Sequence, residues 1–262
     1  MKALNEINEW KEMINEVIQG DCLEGMKLIP DHSIDLIVCD LPYGTTANQW
    51  DTVIDFKQLW DQYERITKEN AAIVLFSAQP FTTDLINLNR KMFRYDIIWE
   101  KNSAVGFLQA NKMPLRSHEI ILLFYNKLPT YNPQKWIEKN AKIGRERMHK
   151  AERSKSNYGK IKNDSSRIDD GTRFPTSVQK FDSNQKGKVN GLQNHPTQKP
   201  LELIEWLILT YSNKDDLVLD NCMGSWTTAR AAKNLSRDFI GFEISKEYCE
   251  IGEKRLRQEV LF

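Results

Sequence analysis

The sequence predicts an α/β fold, a mostly parallel sheet covered by helices and interrupted by one basic insertion. Three observations lead there: short apolar runs of strand character recur along the chain, helical patterns separate several of them, and residues 127–194 break that rhythm in hydropathy and charge. Alternating strands and helices pair most readily in parallel, through right-handed crossovers. A length of 262 residues suits one large α/β domain carrying an insertion, because single cores stop growing near this size.

Strands are expected over 16–18, 34–39, 71–76, 94–99, 119–125, 216–219 and 238–242, where aliphatic and β-branched residues cluster between polar or turn-forming stretches. Leu59, Tyr63 and Ile66 keep an i, i+4, i+7 spacing that predicts a helix. Leu201, Ile204, Ile208 and Tyr211 form a second apolar stripe directly after Pro200, a residue suited to the start of a helix. The stretch 245–260, rich in Lys, Glu and Arg, is expected as a solvent-facing helix.

The insertion is too long for an ordinary connection. Residues 127–194 hold 16 Lys and Arg against 7 Asp and Glu, a net +9, whereas the remainder holds 21 against 29, a net −8. A solvated charged loop and a polyanion-binding surface both account for such a block. Tyr131, Trp136, Tyr158, Phe174 and Phe181 are interleaved with its charges and set it apart from a plain disordered linker.

The four cysteines, Cys22, Cys39, Cys222 and Cys249, lie far apart without a C-x-x-C pair, which excludes a zinc ribbon or disulfide framework and predicts reduced core thiols. His32, His118, His149 and His195 make no metal-ligand pattern. The first residues lack an apolar core of signal-peptide length and no uncharged run spans a membrane, so a cytoplasmic protein without membrane association is expected.

Two stretches carry chemistry. In "SIDLIVCDLPYG" an apolar strand runs straight into Asp40, Leu41, Pro42 and Tyr43. In "DLVLDNCMGSWTTARAAKNLSRDFIGFEIS" a strand ends at Asp220, a loop contains Gly224, a helix begins near Thr227, and a second strand ends near Phe242 with Glu243 following 19 positions after Gly224. That layout suits nucleoside binding: a glycine lets backbone approach a ligand, free amides open the helix, and an acid about 20 residues on can hold a ribose diol. Open α/β sheets bind ligands beyond the carboxyl ends of their strands at a topological switch point, so both stretches are expected to face one cleft.

Asp40, Leu41, Pro42 and Tyr43 resemble the D-P-P-Y motif of amino-group DNA methyltransferases, with Leu41 at the first proline position. Asp220, Gly224, Ser225, Thr227 and Thr228 match most of that family's D-x-F-x-G-S-G-T-T cofactor loop, with Cys222 at the Phe position and Trp226 at the second glycine. "HPTQKP", residues 195–200, completes the set, in the order that resembles the β class. The resemblance implies the Rossmann-like fold of S-adenosylmethionine-dependent methyltransferases, with a catalytic half at 1–126, a target-recognition insertion at 127–194 and the S-adenosylmethionine-binding half at 195–262.

It further implies methyl transfer from S-adenosylmethionine, without a metal, to the N6 amino group of an adenine flipped out of double-stranded DNA. Asp40 and the Leu41 carbonyl, held by Pro42, would accept the two amino hydrogens, and Tyr43 would stack on the base. Glu243 would hold the ribose hydroxyls and Asp220 would lie near the methionine end. Asp21, Cys22 and Phe242 would border the adenine of the methyl donor, Asp40 would also lie against the donor, Thr197 and Lys199 would meet its carboxylate, and Gly224, Ser225, Trp226 and Thr227 would form the loop around it. The basic insertion would bind the duplex, with Arg145, Arg147, Arg153, Arg167 and Arg173 as candidates for reading base edges. A homodimer and a cognate restriction nuclease are compatible with the resemblance, and neither is visible in the sequence.

Trp226 is the main departure, since a small residue there lets backbone approach the ligand or adopt positive φ. Its ring would either point away from the cleft with the loop rearranged, or fill part of the methyl-donor pocket. Two alternatives therefore stay open: a cytosine-N4 methyltransferase, a group that commonly carries Ser where Asp40 stands, and a catalytically impaired DNA-binding homologue.

Overall fold

The computed structural model describes residues 1–44, 54–149, 165–182 and 198–257. The apolar runs become strands, numbered in chain order: β1 (Lys2–Ala3), β2 (Glu16–Gln19), β3 (Ile34–Cys39), β4 (Thr67–Ser77), β5 (Phe93–Val105) and β6 (Arg116–Phe124). Four short strands follow, β7 (Trp136–Ile137), β8 (Glu146–His149), β9 (Ser165–Ile168) and β10 (Thr172–Arg173), before β11 (Val178–Phe181), β12 (Leu217–Asp220) and β13 (Asp238–Glu243). The helices are α1 (Cys22–Met26), α2 (Phe56–Ile66), α3 (Phe81–Leu88), α4 (Leu201–Tyr211), α5 (Thr227–Asn234) and α6 (Lys246–Arg257).

One sheet carries nine strands in the order β1-β2-β13-β12-β3-β4-β6-β5-β11. All neighbours are parallel except β6, which runs antiparallel to both β4 and β5. Side chains alternate across the pleat, so Ile37 and Cys39 of β3 enter one core cluster and Leu36 and Val38 enter the other. The first cluster is closed by Met26 of α1, Leu59, Trp60 and Tyr63 of α2 and Phe81 of α3. The second is closed by Leu203 and Leu207 of α4, Ala229 of α5 and Cys249 of α6. No described helix is long and apolar enough to cross a membrane.

Three expectations change. The helix expected over 245–260 is α6, and it is not merely solvent-facing: Cys249 and Gly252 are buried, because a stripe of small and apolar residues runs between its charges. The strands expected over 94–99 and 119–125 extend to Val105 and back to Arg116 as a hairpin arm, whose polar residues hid it from hydropathy. The separate unit cut out of the basic block is Pro133–Thr176, narrower than 127–194. Residues 178–181 return to the large sheet as the edge strand β11, where one face stays wet and the sequence therefore reads as polar.

Within that smaller unit, β7 pairs with β10 and β8 with β9, both antiparallel. Arg173 ties it together, donating to Asp169 at 2.8 Å and pairing with Glu138 at 2.5 Å. Trp136 and Phe174 are about half exposed, and the Lys135 Nζ lies 4.6 Å from the Phe174 ring centre. Tyr158 and Arg153 lie outside the described residues.

Candidate active site

Four neighbouring parallel strands, β2, β13, β12 and β3, finish along one edge. The register sets Gln19 beside Glu243, Asp220 beside Gly241, and Leu219 beside Ile37. The chain leaving these ends supplies, in order across the sheet, Asp21 and Cys22, Glu243, Asp220, and Asp40 to Tyr43. From β3 the chain turns to β4 on one side, whereas β12 leads to β13 on the other. This is a topological switch point, where diverging connections open a crevice. Segments some 180 positions apart in sequence thus share one cleft edge.

At the β3 end, Asp40 is held from two sides. Oδ1 accepts from the Tyr43 hydroxyl at 2.9 Å and Oδ2 from the Lys199 Nζ at 2.5 Å. Burial and the Asp40 charge push the Tyr43 phenol well up, so it remains a donor. Its ring lies 4.7 Å from that of Phe81 with a 32° tilt. The Leu41 side chain is packed in the core, so what this position can offer a ligand is its backbone.

Lys199 was expected at the carboxylate of the methyl donor; it sits on Asp40. Its ammonium also lies 3.2 Å from Glu119 Oε2, an ion-pair distance outside hydrogen-bond geometry, and 5.0 Å from the Phe76 ring centre. Glu119 Oε1 in turn accepts from Lys101. Burial works against the Lys199 charge, but the Asp40 and Glu119 carboxylates outweigh it and raise its pKa. For Glu119 burial pulls upward, yet Lys199 and Lys101 hold the carboxyl below its usual range. Alternating charges therefore stabilise one another in a poorly hydrated spot.

At the β12 end the loop is built from its acid outward. Asp220 Oδ2 accepts from the Thr228 hydroxyl at 2.6 Å and Oδ1 from the Cys222 amide at 3.0 Å. Burial pushes its carboxyl up to about 6 against those hydrogen bonds, and the nearby Asp40 charge adds to the rise. Gly224 takes φ +51°, and a Cβ there would meet only the Cys222 carbonyl, at 3.9 Å. Open space thus lies over the loop's glycine. Glu243 Oε2 accepts from the Gly224 amide and Oε1 from the Ser245 amide, both at 2.7 Å; its pKa is raised by burial. Ser225 and Thr227 approach each other at 3.3 Å.

Trp226 adopts φ 62°, ψ 30°, the left-handed region where glycine is favoured. Its ring is buried on the α4–α6 face, against Gly252 of α6: a Cβ on Gly252 would come within 2.2 Å of it. Helix α6 thus closes over the indole, and the smallness of residue 252 makes its room. Phe242 is likewise fully buried, packed on Gly25 of α1, and Asp21 caps α1 by accepting the Leu23 amide at 2.8 Å. Thr197 and His195 lie outside the described residues.

Sequence reasoning missed several participants. Glu119 and Lys101 come from β6 and β5; the only signal was a lone acid opening an apolar run. Arg255 of α6 donates to the Ser225 carbonyl at 2.9 Å and pins the loop from outside, yet nothing separates it from its basic neighbours in sequence. Cys22, Cys39 and Cys222 gather beneath the loop: Cys222 lies within hydrogen-bond reach of the other two thiols, and the Asn221 amide nitrogen is 3.5 Å from Cys222 Sγ and 3.7 Å from Cys22 Sγ. Burial pushes the Cys39 thiol up to about 12. Among the described residues no group of His, Cys, Asp and Glu is arranged to hold a metal ion.

The family model described as DNA methylase, of the N6/N4 methyltransferase type, matches residues 34–254. The chain is 32% identical over 261 residues to the DNA adenine methyltransferase YhdJ of Escherichia coli, covering 92% of this chain and 82% of that protein. It is 28% identical over 273 residues to the type II methyltransferase M.HinfI of Haemophilus influenzae, covering 94% and 69%. Among solved structures, the PvuII cytosine-N4-specific DNA methyltransferase superposes with a TM-score of 0.67 at 18% identity, over 94% of this chain and 87% of that one.

Proposed function

Because the chain belongs to the DNA methylase family, we propose that it transfers a methyl group from S-adenosylmethionine to the N6 amino group of an adenine extruded from a DNA duplex. The observation that carries this reading is the adjacency of β3, which leads directly into Asp40, and β12, which ends at Asp220, on one edge. When bound, S-adenosylmethionine supplies an electrophilic methyl group.

The residues fit that group. Glu243, fixed by two amides, keeps lone pairs for a ribose diol, and the open space over Gly224 admits a ligand close to backbone. The indole of Trp226 packs into the helix-covered core, which favours the first of the two placements considered for it and speaks for a competent loop. Asp220, buried and near Asp40, gains from a cation at the methionine end.

On the substrate side, an adenine amino nitrogen is a weak nucleophile because its lone pair is delocalised into the ring. Asp40 and the Leu41 carbonyl accept its two hydrogens, localise that pair and aim it. The chain Lys199, Glu119, Lys101 holds Asp40 in place. Tyr43, backed by Phe81, offers a platform that replaces the stacking lost on extrusion. An acid at position 40, where cytosine-N4 enzymes commonly have Ser, favours adenine. Double-stranded DNA is gripped by the basic block 127–194, where Trp136 and Phe174 are exposed and the Lys135 ammonium stands over the Phe174 ring.

The test is a product analysis. Protein incubated with labelled S-adenosylmethionine and mixed-sequence duplex, followed by nucleoside digestion, is expected to give N6-methyladenine. N4-methylcytosine would overturn the choice of base, and an unlabelled duplex would overturn the transfer itself.

A further inference from the structure

The hairpin of β5 and β6 outruns the sheet. The last pairing of β6 with β4 is Ser77 with Ile120, and the two arm strands meet again at Val105 and Arg116. Every residue from 102 to 118 is exposed. Gly106, at φ +86°, turns the chain into a single 3₁₀ turn, Phe107–Gln109. Val105, Phe107, Leu108, Met113 and Leu115 are all large, apolar and exposed, Leu108 to 84%. Exposed apolar residues scattered singly need no explanation, but such a group on one projecting element marks an interaction surface.

The arm's position and charge select its partner. Because β6 is antiparallel to β4, its first residues lie at the edge where β3 and β4 finish, and Glu119 at the arm's root contacts the Lys199 that holds Asp40. The arm therefore stands beside the candidate catalytic corner. Residues 102–118 include Lys112 and Arg116 but no Asp or Glu, although the chain outside 127–194 is acidic on balance. An acid-free element with cations behind an apolar tip matches a polyanion that has an apolar interior, namely stacked DNA bases between phosphates. A second copy of the arm would instead bring like charges together.

We propose that residues 102–118 form a DNA wedge: Phe107 and Leu108 enter the base step next to the extruded nucleotide, and Lys112 and Arg116 hold the flanking phosphates. This rests on the methyl-transfer reading above. Extrusion breaks stacking on both sides of the departing base, and apolar side chains inserted at a step compensate for that loss.

The experiment compares the full chain with Phe107→Ala/Leu108→Ala on the duplex that the parent methylates. The double variant should bind it about tenfold more weakly, a change of about 1.4 kcal/mol, while its calorimetric heat with S-adenosylmethionine stays that of the parent. The salt slope of duplex affinity should not change, since no phosphate contact is removed. Placing the target adenine in a mismatch, which lowers the cost of extrusion, should restore most of the loss. Parent-like affinity on the paired duplex, or a loss that the mismatch leaves intact, overturns the wedge. So does sedimentation in which the parent is a dimer and the variant a monomer, because the tip would then be buried between copies. A parent that methylates no duplex sinks the reaction itself, a result distinct from failure of the arm alone.

Discussion

Residues 220–228 and residues 102–118 border the same edge of the sheet, yet most of the first stretch is buried and all of the second is exposed. In the loop, Asp220, Asn221, Gly224 and Ser225 find partners on α5, α2, β13 and α6, among them the Tyr63 hydroxyl donating to Asn221 at 2.5 Å. In the arm, large apolar side chains stand in water. The difference follows from what each must do. A site that positions a reactive group gains when packing fixes that group in advance, because orientation lost in the ground state must be recovered in the barrier. A surface that meets a large flexible polymer must remain uncovered until the polymer arrives.

The contrast is broken most strongly at the corner between the two. Asp40→Ala removes the acceptor proposed for the target amino group, and turnover should fall by about a hundredfold to a thousandfold. The heat of S-adenosylmethionine binding should hardly move. Loss of that heat together with turnover would assign Asp40 to the methyl-donor side instead.

The loop's rigidity is sharpened by Trp226→Gly. Glycine relieves left-handed backbone strain of about 1 kcal/mol, but deleting the indole empties the space against Gly252, and large-to-small changes of aromatic residues cost about 3–5 kcal/mol. Thermal unfolding should therefore show a net loss of roughly 2–4 kcal/mol. A higher melting temperature would mean that strain, not packing, governs the loop.

A smaller effect tests the buried acid. The folded-state carboxyl of Asp220 titrates near 6 against an ordinary 3.8. A raised acid contributes stability below the unfolded value that is lost as pH rises through the folded one. This penalty reaches up to about 3 kcal/mol by pH 7. Asp220→Asn should consequently gain on the parent between pH 4 and 7 when melting temperatures are compared across that range. A constant offset would show that the acid is not buried as described.

The sequence by itself determined the strands around Asp40, Asp220 and Glu243, the helix after Pro200 and the glycine-bearing loop, because period, apolar runs and turn residues act over a few neighbouring positions. The tertiary structure alone decided who stands beside whom. Lys199 meets Asp40, Glu119 and Lys101 extend that ion chain, and Arg255 clamps Ser225. Three thiols distant in sequence collect under the loop, and Gly252 on α6 makes room for the indole of Trp226. These pairings depend on strand order and register, set by burying both faces of the sheet at once. No local pattern encodes such contacts, whose halves lie 18 residues apart for Lys101 and Glu119 and 159 apart for Lys199 and Asp40.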